Sequence, residues 1–321
     1  MLDLLSDQRV RRGPAARRPG AGAPAIAATI EVTERTSEPP RLRVGRRVRE
    51  LYAYREIILN LVRKELKVKY TASVLGAIWS VLNPIVFLAV FEFVSKALGS
   101  SLLDYPVFLL AGLLAWNLFS VSLAAGAQSV IANANLVKKV YFPREILPLA
   151  SIGVALFDFA LQSMVFFVFM IVSGYGFQLD VVWLYPVAFV ALLAVTLAVT
   201  FWVSALNVRY RDVQHLIGLA LLVWFWMTPI VYPAGIVATN LAKNPHGSIF
   251  WRIYLLNPIT WVVFGFQRAL YHSADAAQKL APYTAGQLAI GLACVTAIAT
   301  VVLYFTWRVF FSMSGDFAEE L

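Results

Sequence analysis

The sequence predicts an all-α polytopic membrane protein, and composition, hydropathy and charge distribution together support this fold class. The 321 residues are 60% hydrophobic and only 14% charged, whereas a soluble domain is about half apolar and about a quarter charged. The mean hydropathy is +0.71. Of the formal charge of +9, residues 1–70 contribute +8, with 16 basic and 8 acidic side chains. This basic flank precedes the first apolar run and is typical of a cytoplasmic segment facing anionic lipid, so no nucleic-acid partner is predicted.

The first two segments of the chain differ in their periodicity. Residues 1–45 are rich in Arg, Ala, Pro and Gly, and such a segment buries too little apolar surface to fold, which predicts a disordered basic tail. Residues 46–73 show the 3.6-residue period of an amphipathic helix. We expect this interface helix to lie along the inner membrane surface in contact with lipid. Its apolar face contains Tyr54, Ile57, Ile58, Leu61, Val62 and Leu66, and its polar face contains Asn60, Arg63, Lys64 and Lys67.

Residues 74–321 are predicted to form a transmembrane domain of six helices. A helix needs about 20 residues to cross the hydrocarbon of a bilayer, and five of six apolar runs clear that length. The fifth run has only 18 residues. The runs lie at 74–98, 106–131, 147–173, 183–206, 215–232 and 286–309.

The segment between the last two runs, 233–285, is neither a clear loop nor a clear span. Within it, residues 249–270 are apolar but interrupted by Arg252, by Asn257-Pro258 and by Arg268. This pattern predicts two short re-entrant half-helices that dip into the outer leaflet, where non-helical backbone is tolerated only when protein or water surrounds it.

The charges of the short connections predict the orientation. The 132–146 and 207–214 connections contain Lys or Arg, whereas 99–105 and 174–182 contain neither. Basic loops face the cytoplasm, so both termini are predicted to be cytoplasmic.

The residues that usually carry catalysis or bind metals are scarce. Cys294 is the single cysteine, and His215, His246 and His272 have no metal-ligand spacing, so no metal site is predicted. No Gly-Lys dipeptide, and hence no Walker A motif, is present. No catalytic cluster is evident. We therefore expect a non-enzyme, with any ATP hydrolysis on a separate subunit.

The 132–146 connection mixes exposed aromatic side chains with charge. Val140, Tyr141 and Phe142 follow Lys138 and Lys139 directly. Two interpretations stay open at this point: a short helix that docks into a groove of a cytoplasmic partner, or a loop whose apolar groups rest on the membrane surface.

Two further sets of residues are candidate substrate contacts. Basic side chains near the first span would attract a pyrophosphate, although plain attraction to phospholipid fits equally well. Aromatic side chains of the second and fifth spans would stack on sugar rings, although belt and packing roles fit as well. The predicted entrance contains Arg63, Lys64, Lys67, Lys69 and Tyr70, and the predicted conduit contains Trp116, Phe119, Trp224, Phe225, Trp226 and Tyr232.

Asp158 is a carboxylate in the middle of the third predicted span, with Gln162 one turn later. Ionisable groups in spans are functional candidates by default. We favour a polar contact that fixes helix packing.

Several stretches, in order from about residue 50 to 310, resemble the permeases of type-2 ABC exporters for polysaccharides, which include the exporters of O-antigen, teichoic acid and actinobacterial galactan. The stretches are Tyr70-Thr71-Ala72-Ser73-Val74-Leu75-Gly76-Ala77-Ile78-Trp79 through Asn83-Pro84, Leu136-Val137-Lys138-Lys139-Val140-Tyr141-Phe142-Pro143-Arg144-Glu145, Asn207-Val208-Arg209-Tyr210-Arg211-Asp212-Val213, Thr228-Pro229-Ile230-Val231-Tyr232-Pro233 and Leu256-Asn257-Pro258.

The resemblance implies a homodimer of six-span chains above two ATPase subunits, which bind ATP and Mg, and a lipid-linked glycan substrate such as a polyprenyl-pyrophosphate-linked galactan. It also implies that 46–73 is a gate helix and that 233–272 holds the half-helices. The 132–146 loop would be the coupling helix, with Asn135, Lys138, Lys139, Tyr141, Phe142, Pro143, Arg144 and Glu145 as the ATPase-coupling residues.

Three other functions are weighed against glycan export. A permease for drugs or small lipids shares the topology, but the 132–146 loop of this chain fits a glycan exporter better. A membrane-embedded glycosyl or acyl transferase is opposed by the missing carboxylate and histidine patterns. A non-transporting scaffold is the remaining alternative.

Overall fold

The computed structural model describes residues 44–71, 76, 78–97, 104–176, 178–272 and 280–321, and the regular secondary structure of these ranges is entirely helical. The predicted tail, 1–45, lies outside them apart from its last two residues. In chain order the helices are α1 (Val44–Ala53), α2 (Arg55–Tyr70), α3 (Ile78–Ala97), α4 (Tyr105–Ala132), α5 (Ala134–Lys139), α6 (Ile146–Val172), α7 (Leu184–Arg209), α8 (Val213–Met227), α9 (Ala234–Ala242), α10 (Gly247–Tyr254), α11 (Pro258–Leu270), α12 (Ala285–Met313) and α13 (Phe317–Glu320).

Within the described ranges, four helices, α4, α6, α7 and α12, are long and apolar enough to cross a bilayer, and a fifth crossing results if α10 and α11 are counted as one bent span. The chain is therefore a multi-pass membrane protein, as predicted. The remaining two predicted spans are less regular. Helix α3 has 20 residues with Pro84 inside it, and α8 has only 15. The count of six spans stays a prediction.

The break predicted at Asn257-Pro258 is present. Helices α10 and α11 meet there at an angle of 84°. Asn257 caps α11, because its side-chain oxygen accepts a hydrogen bond from the backbone N–H of Ile259 at 3.0 Å, and Pro258 occupies the first turn, where its missing N–H costs nothing. The two short helices are thus confirmed as elements, while their position in the outer leaflet stays a prediction.

The buried residues form two clusters. The larger surrounds α4, which packs against α6, α7, α8 and α11. The smaller, here called the loop-end cluster, joins α2, α5, α13 and the neighbouring ends of α4, α6, α7 and α12. Its members include Leu61, Val137, Phe142, Ile146, Phe201, Val208, Phe310 and Phe317. Since Val137 and Val208 both belong to it, the two basic connections lie at the same end of the bundle.

Helix α2 runs beside α6 rather than across its end. Val62 contacts Gly153, where an added Cβ would lie 2.7 Å from the Val62 Cγ2 atom. Farther along, Lys69 and Tyr70 reach Asp158. Both helices therefore advance in the same direction. Gly153 permits this contact, because small residues let two helix backbones approach closely. The location of α2 at the inner membrane surface stays a prediction.

Candidate functional site

The predicted coupling loop has an exposed side and a buried side. Helix α5 and the residue pair after it expose Asn135, Lys138, Lys139 and Tyr141, and the Tyr141 side chain is the extreme case at 97% exposed. Phe142 is buried in the loop-end cluster. Pro143 and Glu145 are also buried, and Arg144 is partly buried.

Glu145 is fully buried and holds three elements together. Its carboxylate accepts a bidentate pair of hydrogen bonds from Arg47 of α1, with Nε to Oε1 at 2.8 Å and Nη2 to Oε2 at 2.8 Å. The Trp307 indole N–H of α12 donates to the same Oε1 at 3.3 Å. Burial alone would lower the pKa of Arg47, but the hydrogen bonds and charge of Glu145 outweigh it and leave the pKa raised. The Glu145 carboxylate therefore connects the loop to α1 and to α12.

Arg144 is placed between the two sides of the loop. Its guanidinium lies over the Phe317 ring, with 5.9 Å between Cζ and the ring centroid. The Nη1 atom is buried and has no hydrogen-bond partner among the described residues. Burial lowers the pKa of Arg144.

The predicted gate residues also divide into two groups. Arg63, Lys64 and Lys67 are exposed along α2. Lys69 and Tyr70, at the end of α2, both contact Asp158 of α6. The Lys69 Nζ atom lies 2.5 Å from Asp158 Oδ2, and the Tyr70 hydroxyl donates to Asp158 Oδ1 at 2.6 Å. Asp158 is therefore bound to the end of α2.

Asp158 lies well inside the bundle. It is 12 residues beyond the first residue of α6, which corresponds to about 18 Å along the helix axis. One turn later, Gln162 accepts a hydrogen bond from the Asn117 side-chain amide of α4 at 3.0 Å. Gln162 also lines a cavity of about 150 Å³ whose other lining residues are apolar. The polar contacts near Asp158 thus give way to an apolar space farther along α6.

The predicted conduit aromatics form one packed cluster rather than an open wall. The Phe119 and Trp224 ring centroids are 4.9 Å apart, and those of Trp116 and Phe225 are 5.5 Å apart. Phe119 has no exposed surface, and Trp116 and Phe225 are buried. Trp226 differs because it is 54% exposed. Tyr232 is partly buried, and its hydroxyl donates to the Trp226 carbonyl at 2.9 Å.

A set of uncharged hydrogen bonds joins the end of α8 to α11, and we call it the α8–α11 junction. The Trp224 indole N–H donates to Asn257 Oδ1 at 2.8 Å, and the Asn257 amide donates to Thr228 Oγ1 at 3.0 Å. The Gln267 amide donates to the Pro229 carbonyl at 2.8 Å. Helix α8 ends here because Thr228, which precedes a proline, adopts an extended backbone.

Comparison with known proteins identifies the family. A family model described as "ABC-2 type transporter" matches residues 57–271, two thirds of the chain. The chain belongs to the ABC-2 type transporter family. The matched range includes the predicted gate residues, the coupling loop and the aromatic cluster. The resemblance to type-2 ABC exporter permeases is therefore confirmed.

Curated relatives support the same assignment. An O-antigen export system permease protein RfbA from Myxococcus xanthus is 31% identical over 86% of this chain and 99% of its own length. Two proteins of the same name from Klebsiella pneumoniae are 32% and 29% identical, covering 63% and 64% of this chain and 81% and 82% of their own lengths.

Only some of the residues predicted to contact an ATPase are accessible at the surface of this ABC-2 chain. Glu145, Phe142 and Pro143 are in the interior, so they position the loop and do not present a surface to a partner. Asn135, Lys138, Lys139 and Tyr141 are accessible. Sequence reasoning missed both Arg47, whose partner is 98 residues away, and the α8–α11 junction. The Asn257-Pro258 pair was the one local signal of the junction, because it is typical of a capped helix start.

The described part of the chain contains no group of three His, Cys, Asp or Glu side chains that could hold a metal ion. Cys294 is exposed. The ion pairs of the described residues instead join Arg47 to Glu50 and Glu145, and Lys69 to Asp158.

Proposed function

We propose that this chain is the transmembrane subunit of an ATP-driven exporter that moves a lipid-linked polysaccharide from the cytoplasmic side across the bacterial inner membrane. The observation that carries the proposal is the match to a curated O-antigen export permease over 99% of that protein's length. A cell-wall or surface glycan on a polyprenyl diphosphate is the substrate class. The subunit does not itself hydrolyse ATP; two partner ATPase subunits bind ATP and Mg.

The geometry supports two different roles, docking of the loop into the partner ATPase and movement of the gate helix. Lys138, Lys139 and Tyr141 present charge and an aromatic ring outside the bundle, which suits docking into a partner's groove. Behind them, Glu145 connects the loop to α1, which leads directly into α2 and its basic residues. A movement of the loop is therefore passed to Lys69 and Tyr70 through one buried ion pair and two consecutive helices.

Two copies of the chain would form the path. Six or fewer helices cannot easily enclose a route wide enough for a polymer, whereas a closed two-fold dimer can. Exposed apolar side chains of α8, including Leu219, Leu222 and Val223, would face a second copy or the path. Helices α1 and α13 both lie at the loop end, which carries the basic connections and is the cytoplasmic end in this proposal.

The direct test is ATP hydrolysis by the permease co-purified with its ATPase and reconstituted in lipid. A polyprenyl-diphosphate-linked oligosaccharide is expected to stimulate hydrolysis and to become protected on the far side of the membrane. Hydrophobic drugs serve as the control. If drugs stimulate ATP hydrolysis and the glycolipid does not, the proposal of glycan export is wrong and the chain is a drug exporter permease.

The coupling loop is tested by comparing two neighbouring aromatic residues. Tyr141→Ala is expected to leave the unfolding temperature unchanged, because surface changes are usually within about 0.5 kcal/mol, but to reduce ATPase binding or coupling. Phe142→Ala is expected to destabilise the protein itself by about 3–5 kcal/mol, because its ring is in the core. Normal export by Tyr141→Ala with the full ATPase bound would show that the loop is only a connector.

A further inference from the structure

The contact between α2 and Asp158 resembles an anion-binding site that already holds an anion. One carboxylate oxygen is within 2.5 Å of the Lys69 ammonium and the other accepts a hydrogen bond from the Tyr70 hydroxyl at 2.6 Å. An ammonium and a phenol are also the donors that would bind a phosphate oxygen. The Asp158 carboxylate is thus bound to Lys69 and Tyr70, two of the residues predicted to attract the substrate's diphosphate.

The two members of the ion pair differ in their access to solvent. The Lys69 side chain is 39% exposed, whereas that of Asp158 is 8% exposed. A headgroup can therefore approach the ammonium from the open side without first entering the bundle. Asp158 is the single charged residue of α6, so on that helix it is the last charge before the apolar segment.

The covalent chain keeps Asp158 close to Lys69 at all times. Two groups on one chain meet at an effective concentration of about the millimolar range or more. A singly charged phospholipid offers the ammonium no greater charge than the carboxylate does. A diphosphate carries about two charges and more acceptor oxygens, and its attraction to the ammonium is correspondingly larger.

We propose that Asp158 is a specificity-determining residue: it competes with anionic headgroups for Lys69 and Tyr70 and sets the affinity that a headgroup must exceed to bind the gate. Singly charged phospholipids stay below this threshold, and a lipid diphosphate exceeds it. The inference rests on the proposed function for its choice of ligand.

The test measures binding of farnesyl diphosphate to the purified full-length permease in nanodiscs of neutral phosphatidylcholine. The Asp158→Asn variant is expected to bind about tenfold more tightly than the wild type, which corresponds to the loss of about 1.4 kcal/mol of competition. Adding phosphatidylglycerol to the nanodiscs should leave the wild-type affinity unchanged but cancel the gain of the variant. Lys69→Gln should lose binding in either lipid.

Control variants separate competition from other effects. Asp180→Asn removes an exposed carboxylate elsewhere and should bind like the wild type, and Asp158→Glu should retain the threshold. Asp158→Ser supplies a second uncharged side chain if the amide variant does not fold. Inorganic pyrophosphate should displace farnesyl diphosphate, since the headgroup is what the site binds; failure to displace it would contradict the proposal.

Two results for Asp158→Asn would overturn the inference. Weaker binding would mean that Asp158 positions Lys69 for the ligand, and unchanged binding would mean that it does not compete. The proposed function fails separately: it fails if the wild type binds farnesyl diphosphate but exports no glycolipid. If the wild type exports the glycolipid but Asp158→Asn binds farnesyl diphosphate with wild-type affinity, the inference about Asp158 is wrong and the proposed function stands.

Discussion

The loop end and the α8–α11 junction are both held by long-range side-chain contacts, but the chemistry of those contacts differs. At the loop end, Arg47 and Glu145 form an ion pair, and farther inside the bundle a second ion pair, Lys69–Asp158, joins α2 to α6. At the junction, Asn257 and Gln267 donate and accept uncharged hydrogen bonds. An ionic partner can be exchanged for another ion of the same sign, whereas a directional amide network fixes one geometry. The comparison suggests that the loop end is built to change partners and the junction to stay in place.

The strongest test of this comparison is the removal of Arg47. Arg47→Ala leaves the Glu145 carboxylate buried without its bidentate partner, and breaking a buried pair in this way costs about 3–5 kcal/mol. Thermal unfolding of the detergent-purified protein should show a correspondingly large loss. Arg46→Ala, one residue earlier and exposed, is the matched control. Equal unfolding temperatures for the two variants would mean that the ion pair is not structural.

The second test concerns the junction. Asn257→Ala removes the cap of α11 and the two hydrogen bonds to Trp224 and Thr228, for an expected loss of about 2 kcal/mol. Asn240→Ala, at an exposed position of α9, should change the unfolding temperature little. A loss of export with no loss of stability would show instead that the junction moves during transport.

A third test addresses the contact between α2 and α6. Gly153→Ala places a Cβ 2.7 Å from Val62, and such overpacking costs about 1–3 kcal/mol. Val62→Ala in the same protein should restore both stability and the Lys69–Asp158 contact, measured by cross-linking of cysteines at the end of α2 and on α6. If the second change does not compensate, α2 is held mainly by the ion pair.

The smallest expected change in stability is at Trp226. Because the side chain is 54% exposed, Trp226→Ala should change the free energy of unfolding by no more than about 0.5 kcal/mol. If the ring stacks on passing sugars, export should nevertheless fall. Met227→Ala, with 52% exposure, is the control. An equal effect of the two changes on export would show that the Trp226 ring has no specific role in the conduit.

Sequence patterns predicted the elements of this fold better than the contacts between them. The run at 106–131 became Tyr105–Ala132, because hydropathy over more than 20 residues is a signal independent of tertiary structure. The break at Asn257-Pro258 was likewise local. The position of α2 was not predictable in this way: it depends on Gly153, which lies 91 residues beyond Val62 and carries no periodic signal.

The candidate site shows the same limit. The charges of Lys69 and Lys138 led to the predictions of a gate helix and a coupling loop, because exposed basic residues beside apolar runs are informative by themselves. Phe142 and Glu145 belong to the same motif as Tyr141, yet they face the interior. Only the packing of α1 and α12 against the loop decides which side of the motif is turned inward.

The shortness of α8 has a consequence for the surrounding bilayer. Its 15 residues span about 22 Å, whereas the hydrocarbon of a typical membrane is about 30 Å thick. If α8 is the predicted fifth span, lipid beside it must thin to match it, at a cost of a fraction of a kcal/mol per Å of mismatch. A thinned patch next to the end of α8 shortens the distance that a hydrated sugar chain must travel without bulk water. Transport is therefore expected to be faster in short-chain than in long-chain phosphatidylcholine at equal fluidity, so that the acyl length of the host membrane acts as a determinant of turnover.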